Sequence, residues 1–192
     1  MVDDDGWSYR GYLPHIDTRR TAQFVTYRLA DALPAAVVAR IRAEERAPVS
    51  VWRRCEEFAD SGYGSCVLAR AEIADLVVRN WKHFAGSRYD LYGWVVMPNH
   101  VHALVNLREG WSLARVVHSW KSFTAKAIRR TGATELGRHV WQADYWDRFI
   151  RSERHFWSAL DYIHANPVKA GLAREPNDWV WSSAREWSGV RR

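Results

Sequence analysis

The sequence predicts an α+β sandwich built on an antiparallel sheet, and three observations point to it. Its 192 residues fit one domain, since chains of roughly 100 to 200 residues bury enough surface to fold as a unit. Strand-like and helix-like segments interleave, in the order strand, helices, strand, strand, helix, a candidate edge strand and a last helix. Two of the strands adjoin at a turn, and their odd positions Val95, Met97, Val101, Ala103, Val105 and Leu107 are apolar, as a sheet face buried under helices requires. This order matches a ferredoxin-like sheet with helices on one face, and it leaves the last helix free to cross the other.

Residues 1–18 carry Gly, Pro, Asp and Arg without a period and read as a tail, residues 19–187 as the single domain, and residues 188–192 as a second tail. Gln23 to Leu29 is rich in β-branched and aromatic residues and reads as a strand. Pro34 suits the first turn of a helix over Ala35–Arg46, with Val37, Val38 and Ile41 at helical spacing. A second helical piece lies near Trp52–Phe58 and ends at the polar turn Asp60 to Gly64. A third, Ala71–Phe84, sets Ile73, Leu76, Val77 and Trp81 on one stripe and stops before Gly86.

Arg88–Met97 and His100–Leu107 are the two adjoining strands, with Pro98 and Asn99 at the bend. The even face of the second strand carries His100 and His102 side by side, pointing away from the core. Ser112–Arg130 follows as a basic helix with Leu113, Val116, Val117, Trp120, Phe123 and Ile128 as its apolar stripe. Gly132 and Gly137 bracket a loop, Val140–Ile150 is extended and then turning, and a last helix spans Glu153–Ala165, stopping before Pro167. The remainder, with Pro176, Trp179 and Trp181, reads as an irregular cover over the core.

With 47% hydrophobic and 14% aromatic residues the chain has too much apolar surface for a disordered one. The N-terminus has no positive start with an apolar stretch behind it, and no segment reaches the roughly 18 apolar residues of a membrane span. A cytoplasmic, nucleoid-associated protein without a membrane partner is expected. Cys55 and Cys66 lack CxxC spacing and nearby histidines, and read as two reduced, buried or half-buried thiols.

The net charge of +6 is not spread evenly. Residues 1–96 hold 13 basic and 13 acidic side chains, residues 97–192 hold 15 and 9, so the excess lies in the second half. Such a face suits a polyanion, because each neutralised phosphate releases counterions. A solvated helix face in an arginine-rich chain would carry the same charge.

His100 and His102 can chelate one divalent ion as neutral imidazoles. Tyr162 and Asn166 stand four apart on the last helix and share a face. If that helix crosses the open sheet face, Asn166 completes a two-histidine, one-amide site and places the Tyr162 hydroxyl beside the metal. A phenol with its usual pKa near 10 is a poor nucleophile, and a metal that binds the developing charge on a phosphate lowers the barrier to its attack. Each residue also has a duller role: a structural histidine pair, a core tyrosine, a helix stop before proline.

The words around these residues carry a resemblance. Met97-Pro-Asn-His-Val-His-Ala-Leu-Val105 resembles the signature of the HUH single-tyrosine transposases. Asp161-Tyr-Ile-His-Ala-Asn-Pro-Val-Lys-Ala-Gly-Leu172 is similar to the tyrosine helix of one branch, the REP-associated tyrosine transposases. Ser119-Trp-Lys-Ser-Phe-Thr124, Val140-Trp-Gln-Ala-Asp-Tyr-Trp-Asp-Arg148 and Trp179-Val-Trp-Ser-Ser183 resemble that branch too, so the likeness runs from about Arg19 to Trp187.

The resemblance implies a single-domain ferredoxin-like enzyme that cuts and rejoins single-stranded DNA beside imperfect, REP-type hairpins. By position, His100, His102 and Asn166 would be ligands of Mg²⁺ or Mn²⁺, and Tyr162 the nucleophile that takes the 5′ phosphate. Single-stranded DNA needs a cationic groove with aromatic faces. Lys121, Lys126, Arg129 and Arg130 are the expected phosphate contacts, with Arg148 and Arg151 nearer the active site and Trp111, Trp120, Trp141, Trp146 and Trp157 interleaved. The state is monomer or homodimer. The alternative is a hairpin-binding protein that does not cut and would not need Tyr162.

Overall fold

The structure, a computed structural model, describes residues 7–10, 13–16, 21–133 and 136–188. The expected tails fall mostly outside the described residues; within the first, β1 (Trp7–Arg10) and β2 (Leu13–Ile16) pair antiparallel with each other. The segment rich in β-branched and aromatic residues forms β3 (Gln23–Arg28), and the helical periods that follow form α1 (Ala35–Glu44), α2 (Pro48–Asp60) and α3 (Ala71–Phe84). The two adjoining strands are β4 (Tyr89–Val96) and β5 (His100–Leu107). The basic helix is α4 (Leu113–Arg130), whose first turn is capped by the Ser112 side chain accepting from the Arg115 amide. β6 (Trp146–Phe149) and α5 (Glu153–Lys169) complete the set.

β4, β5, β3 and β6 form, in that order, one antiparallel four-stranded sheet, with β6 as the expected edge strand. This is the ferredoxin-like α+β architecture that the element order predicts. One face carries α3 and α4, which bury Ile73, Val77, Trp81, Val116, Val117 and Trp120 against Val101, Ala103 and Val105. Their buried indoles are satisfied, Trp81 Nε1 donating to the Tyr27 hydroxyl and Trp120 Nε1 to that of Tyr89. The other face carries α5, as expected, packed through Leu160 and Ile163 on Phe24, Val95 and Leu104, and α2 shares this side through Trp52.

The hairpin corrects the expected odd-numbered stripe. Val96 pairs with Val101 and Val95 with His102, so even residues of β4 share a face with odd residues of β5. Val95 and Met97 therefore belong to the α5 face, while Trp94 and Val96 join the α3 and α4 core. A bulge at Tyr92, between Leu91 opposite Val105 and Gly93 opposite Leu104, restores the other parity at the start of β4. It turns Gly93 toward α5, where a Cβ would stand 2.5 Å from Leu160 Cδ1. The missing side chain lets the helix approach the strand that closely.

Two further expectations are corrected. Phe123 is 55% exposed, and Thr124 takes its place in the α4 stripe because it stands four residues from both Trp120 and Ile128, at the stripe's centre, while Phe123 falls at its margin. α5 runs past Pro167 to Lys169. A proline in the last turn sacrifices only its own amide, and the Pro167 and Asn166 carbonyls still accept from Leu172 and Ala170. The irregular cover is as expected: Trp179 Nε1 donates to the Val96 carbonyl, and the Val96 amide to that of Trp181. Cys55 is buried and Cys66 half-buried, both free thiols. Among the described residues no helix is long and apolar enough to cross a membrane.

Candidate active site

His100 and His102 face away from the α3 and α4 core as expected, but not toward an open surface. α2 and α5 cover them, and both rings are wholly buried, their centroids 4.9 Å apart. Burial of two imidazoles requires partners for their nitrogens. Asn99 supplies one: its Nδ2 donates to the carbonyls of Ala59 and Tyr63 at 2.9 and 2.8 Å, which leaves Oδ1 to accept from His100 Nδ1 at 2.8 Å. His100 Nε2 is thereby a bare lone pair, and no hydrogen bond reaches it. Burial and the neighbouring positive groups, against the pull of Glu56, hold the His100 pKa down at about 3, so the ring is neutral. Thr26 on β3 holds His102 through its Nδ1 at 2.8 Å.

The sequence reading missed Glu56. It lies on the buried side of α2, with Oε2 3.0 Å from His102 Nε2 and 4.0 Å from His100 Nε2. Arg28 of β3, also buried, pairs with its other oxygen. Burial would raise the Glu56 carboxyl, but its neighbours, the Arg28 guanidinium first among them, outweigh it and hold it far below the usual carboxylate range. The signal in the sequence is a carboxylate on the inner stripe of a helix, between Trp52, Cys55 and Ala59.

Asn166, the expected third ligand, is wholly buried beside His102, its Nδ2 donating to His102 Nε2 at 3.1 Å and its Oδ1 without a hydrogen-bond partner. Asp60 Oδ1, at the end of α2, is 3.5 Å from His100 Nε2, and its carboxyl is pushed up to about 6 by burial and by Glu56. Lone pairs from two imidazoles, a carboxylate and an amide thus converge in a buried space. Among the described residues Glu56, His100 and His102 form the one group with liganding spacing, all three atoms within 4.8 Å of one another. A carboxylate oxygen beside an unprotonated nitrogen calls for something positive between them, and a set of two nitrogens with oxygens fits a divalent cation. A cavity of about 140 Å³ bordered by Asp60, Met97, His100 and Leu172 reaches this centre.

Tyr162 lies over it. Its hydroxyl donates to Glu56 Oε2 at 3.3 Å, and its ring is 5.4 Å from that of His102. Burial first, then Glu56 and Asp60, push the phenol pKa well above its ordinary value, so the hydroxyl is protonated. Lys169, two turns on along α5, holds its ammonium 4.8 Å from the Tyr162 ring. It was also missed; the helix was expected to stop before it.

The six expected DNA contacts separate. Lys121, Lys126, Arg129 and Arg130 lie on α4, on the opposite side of the sheet from Tyr162. The Lys121 ammonium is held by the carbonyls of Gln142, Ala143 and Asp144 at 2.6, 2.9 and 3.3 Å, and Arg129 binds the Arg138 carbonyl, so these two support the 138–144 loop. Lys126 and Arg130 are exposed. Arg148, on the edge strand, is exposed and borders a cavity that Tyr162 also lines, while Arg151 stacks its guanidinium 4.8 Å from the Phe149 ring. Of the interleaved tryptophans, Trp120, Trp141 and Trp146 are buried.

Residues 77–166 match the family model described as "Transposase IS200 like". That stretch contains His100, His102, Tyr162 and Asn166, and leaves Glu56 outside. The chain is 28% identical over 95 residues to the REP-associated tyrosine transposase of Escherichia coli (strain K12), an alignment covering 50% of this chain and 54% of that protein. It is 29% identical over 96 residues to a protein of Haemophilus influenzae named as a putative REP-associated tyrosine transposase, covering 46% and 54%. The chain therefore spans about half the length of the curated relatives it matches. Its fold is similar, at a TM-score of 0.58 and 19% identity over 93% of this chain and 83% of the other, to a REP-associated tyrosine transposase solved bound to a REP hairpin. The chain is similar to the REP-associated tyrosine transposases, as its sequence words indicate.

Proposed function

We propose that this protein, similar to the REP-associated tyrosine transposases, is a metal-dependent endonuclease and strand transferase for single-stranded DNA at REP-type hairpins, working through a 5′-phosphotyrosine. The observation that carries the reading is one shared oxygen. Glu56 Oε2 accepts from the Tyr162 hydroxyl at 3.3 Å and lies 3.0 Å from His102 Nε2, so a nucleophile and a liganding group meet at one atom.

His100, His102 and Asn166 would hold Mg²⁺ or Mn²⁺, with Glu56 as a further oxygen donor that the sequence alone does not suggest. Bound there, the ion would supply Lewis-acid stabilisation of charge on the phosphodiester. The chain's own residues do the rest. Asn99 and Thr26 fix the imidazoles, each through the nitrogen turned away from Glu56. Tyr162 presents its phenol oxygen for attack on phosphorus, with Glu56 Oε2 the nearest acceptor for the proton. The bond to the upstream 3′ oxygen breaks, that oxygen takes up the proton released from Tyr162 and leaves as a 3′ hydroxyl, and its return to the phosphotyrosine reverses the step and rejoins strands. Lys169 adds positive charge beside the Tyr162 ring, where the phosphate would arrive.

The partner would be single-stranded DNA with imperfect hairpins, met in the cytoplasm at the nucleoid. The test is cleavage of a labelled hairpin oligonucleotide taken from repeats near the gene, with Mn²⁺, with a chelator and with Tyr162→Phe. Mn²⁺-dependent cleavage that leaves a 3′ hydroxyl and is lost in the variant is expected. Binding by both proteins with no cleavage by either would overturn the reading in favour of a hairpin-binding protein.

A further inference from the structure

Beside the candidate nucleophile lies a cavity of about 180 Å³ that the chemistry above does not use. Phe24, Trp52, Trp146 and Tyr162 wall it, and Arg148 and His155 stand at its edge. Trp52 and Trp146 stack with centroids 4.3 Å apart at 15°, and the rings of Phe24 and Trp52 are 5.8 and 5.7 Å from that of Tyr162. These four, drawn from β3, α2, β6 and α5, pack against one another, and the cavity opens beside them.

We infer that this cavity takes one unpaired nucleobase, that of a nucleotide flanking the scissile phosphate. The inference rests on the proposed transposase reading and adds to it the element that holds the strand in register at the cut. Two features select a base. Its walls are flat and aromatic, the surface on which unpaired bases stack. The exposed Arg148 guanidinium at the edge suits a flanking phosphate, which it can bind bidentately. The volume, about 180 Å³, is large enough for one base. Because Tyr162 is itself one wall, an occupant is placed next to the phosphate that its hydroxyl would attack.

The test uses the Tyr162→Phe protein, which keeps the cavity and cannot cut, and single-stranded hairpin oligonucleotides with an abasic site stepped across the positions flanking the cleaved bond. One position should stand out, its lesion weakening binding roughly 30-fold, the middle of the range for loss of one stacked base. In a Trp52→Ala background the same lesion should cost nothing further. Replacing that base with 2-aminopurine should quench its fluorescence on binding, a readout that stands even if Trp52→Ala does not fold. Equal losses at every position, or no quenching at any of them, overturn the inference. Adduct formation by the wild type on the intact oligonucleotide reports the transposase reading separately: an adduct without base dependence sinks the cavity alone, and quenching without an adduct sinks the catalytic reading and leaves the cavity.

Discussion

Replacing Glu56 with Gln tests the centre of the site, because one carboxylate serves both the buried Arg28 and the metal position. The Arg28 and Glu56 side chains are 9% and 3% exposed. Removing one charge of a buried pair costs about 3–5 kcal/mol because the other is left uncompensated, and Gln, which keeps a carbonyl acceptor, belongs near about 3 kcal/mol. A chain of this length loses roughly 2–4 °C per kcal/mol, so the metal-free variant should melt roughly 6–12 °C below the wild type. Mn²⁺ at a hundred times its dissociation constant should stabilise the wild type by about 2.7 kcal/mol, and the same concentration should do far less for the variant. Thermal melts with and without Mn²⁺ read both quantities. The double variant Arg28→Met, Glu56→Leu separates them: it should recover much of the lost stability, as apolar replacements of buried pairs do, and still fail to respond to Mn²⁺. A Glu56→Gln protein that melts with the wild type and keeps its full Mn²⁺ response would refute the reasoning.

Three other outcomes follow from the geometry. Asn99→Ala should weaken Mn²⁺ binding by about 10- to 100-fold in a calorimetric titration, because it frees the His100 ring that Asn99 orients. Gly93→Val should cost about 1–3 kcal/mol in denaturant unfolding, since its Cβ would meet Leu160 Cδ1 at 2.5 Å, and less than that in a Leu160→Ala background. Burial lowers the Lys121 pKa from 10.5 to about 8, so between those values the unfolded chain binds more protons than the folded one. Stability should rise with pH across that window, and a wild type no steeper there than Lys121→Met would contradict the assignment.

Much of the fold was legible because strand and helix periods are local. The Ala71–Phe84 stripe and the alternation in His100–Leu107 each follow from residues within one element. The hairpin parity was not, since it depends on which residue of β4 meets Val101, and the Tyr92 bulge that changes it has no separate period. The site was half legible. His100, His102, Tyr162 and Asn166 sit in words with recognisable spacing, and the fold brings all four together from β5 and α5. Glu56 arrives from α2 through tertiary packing 44 residues before His100, where its only mark is a charge on an apolar stripe. The α4 basic stretch shows a related limit: charge along a sequence does not say which side of the sheet the helix covers, nor that Lys121 would be held by three carbonyls.

The most direct test of the central claim is the identity of the covalent link. Wild-type protein incubated with Mn²⁺ and a hairpin oligonucleotide is digested with protease and nuclease, and the peptides are analysed by mass spectrometry. The account predicts a nucleotide joined through its 5′ phosphate to the peptide containing Tyr162, absent when Mn²⁺ is chelated and absent in Tyr162→Phe. Cleaved DNA with no linked peptide, or a link on any other residue, would contradict it.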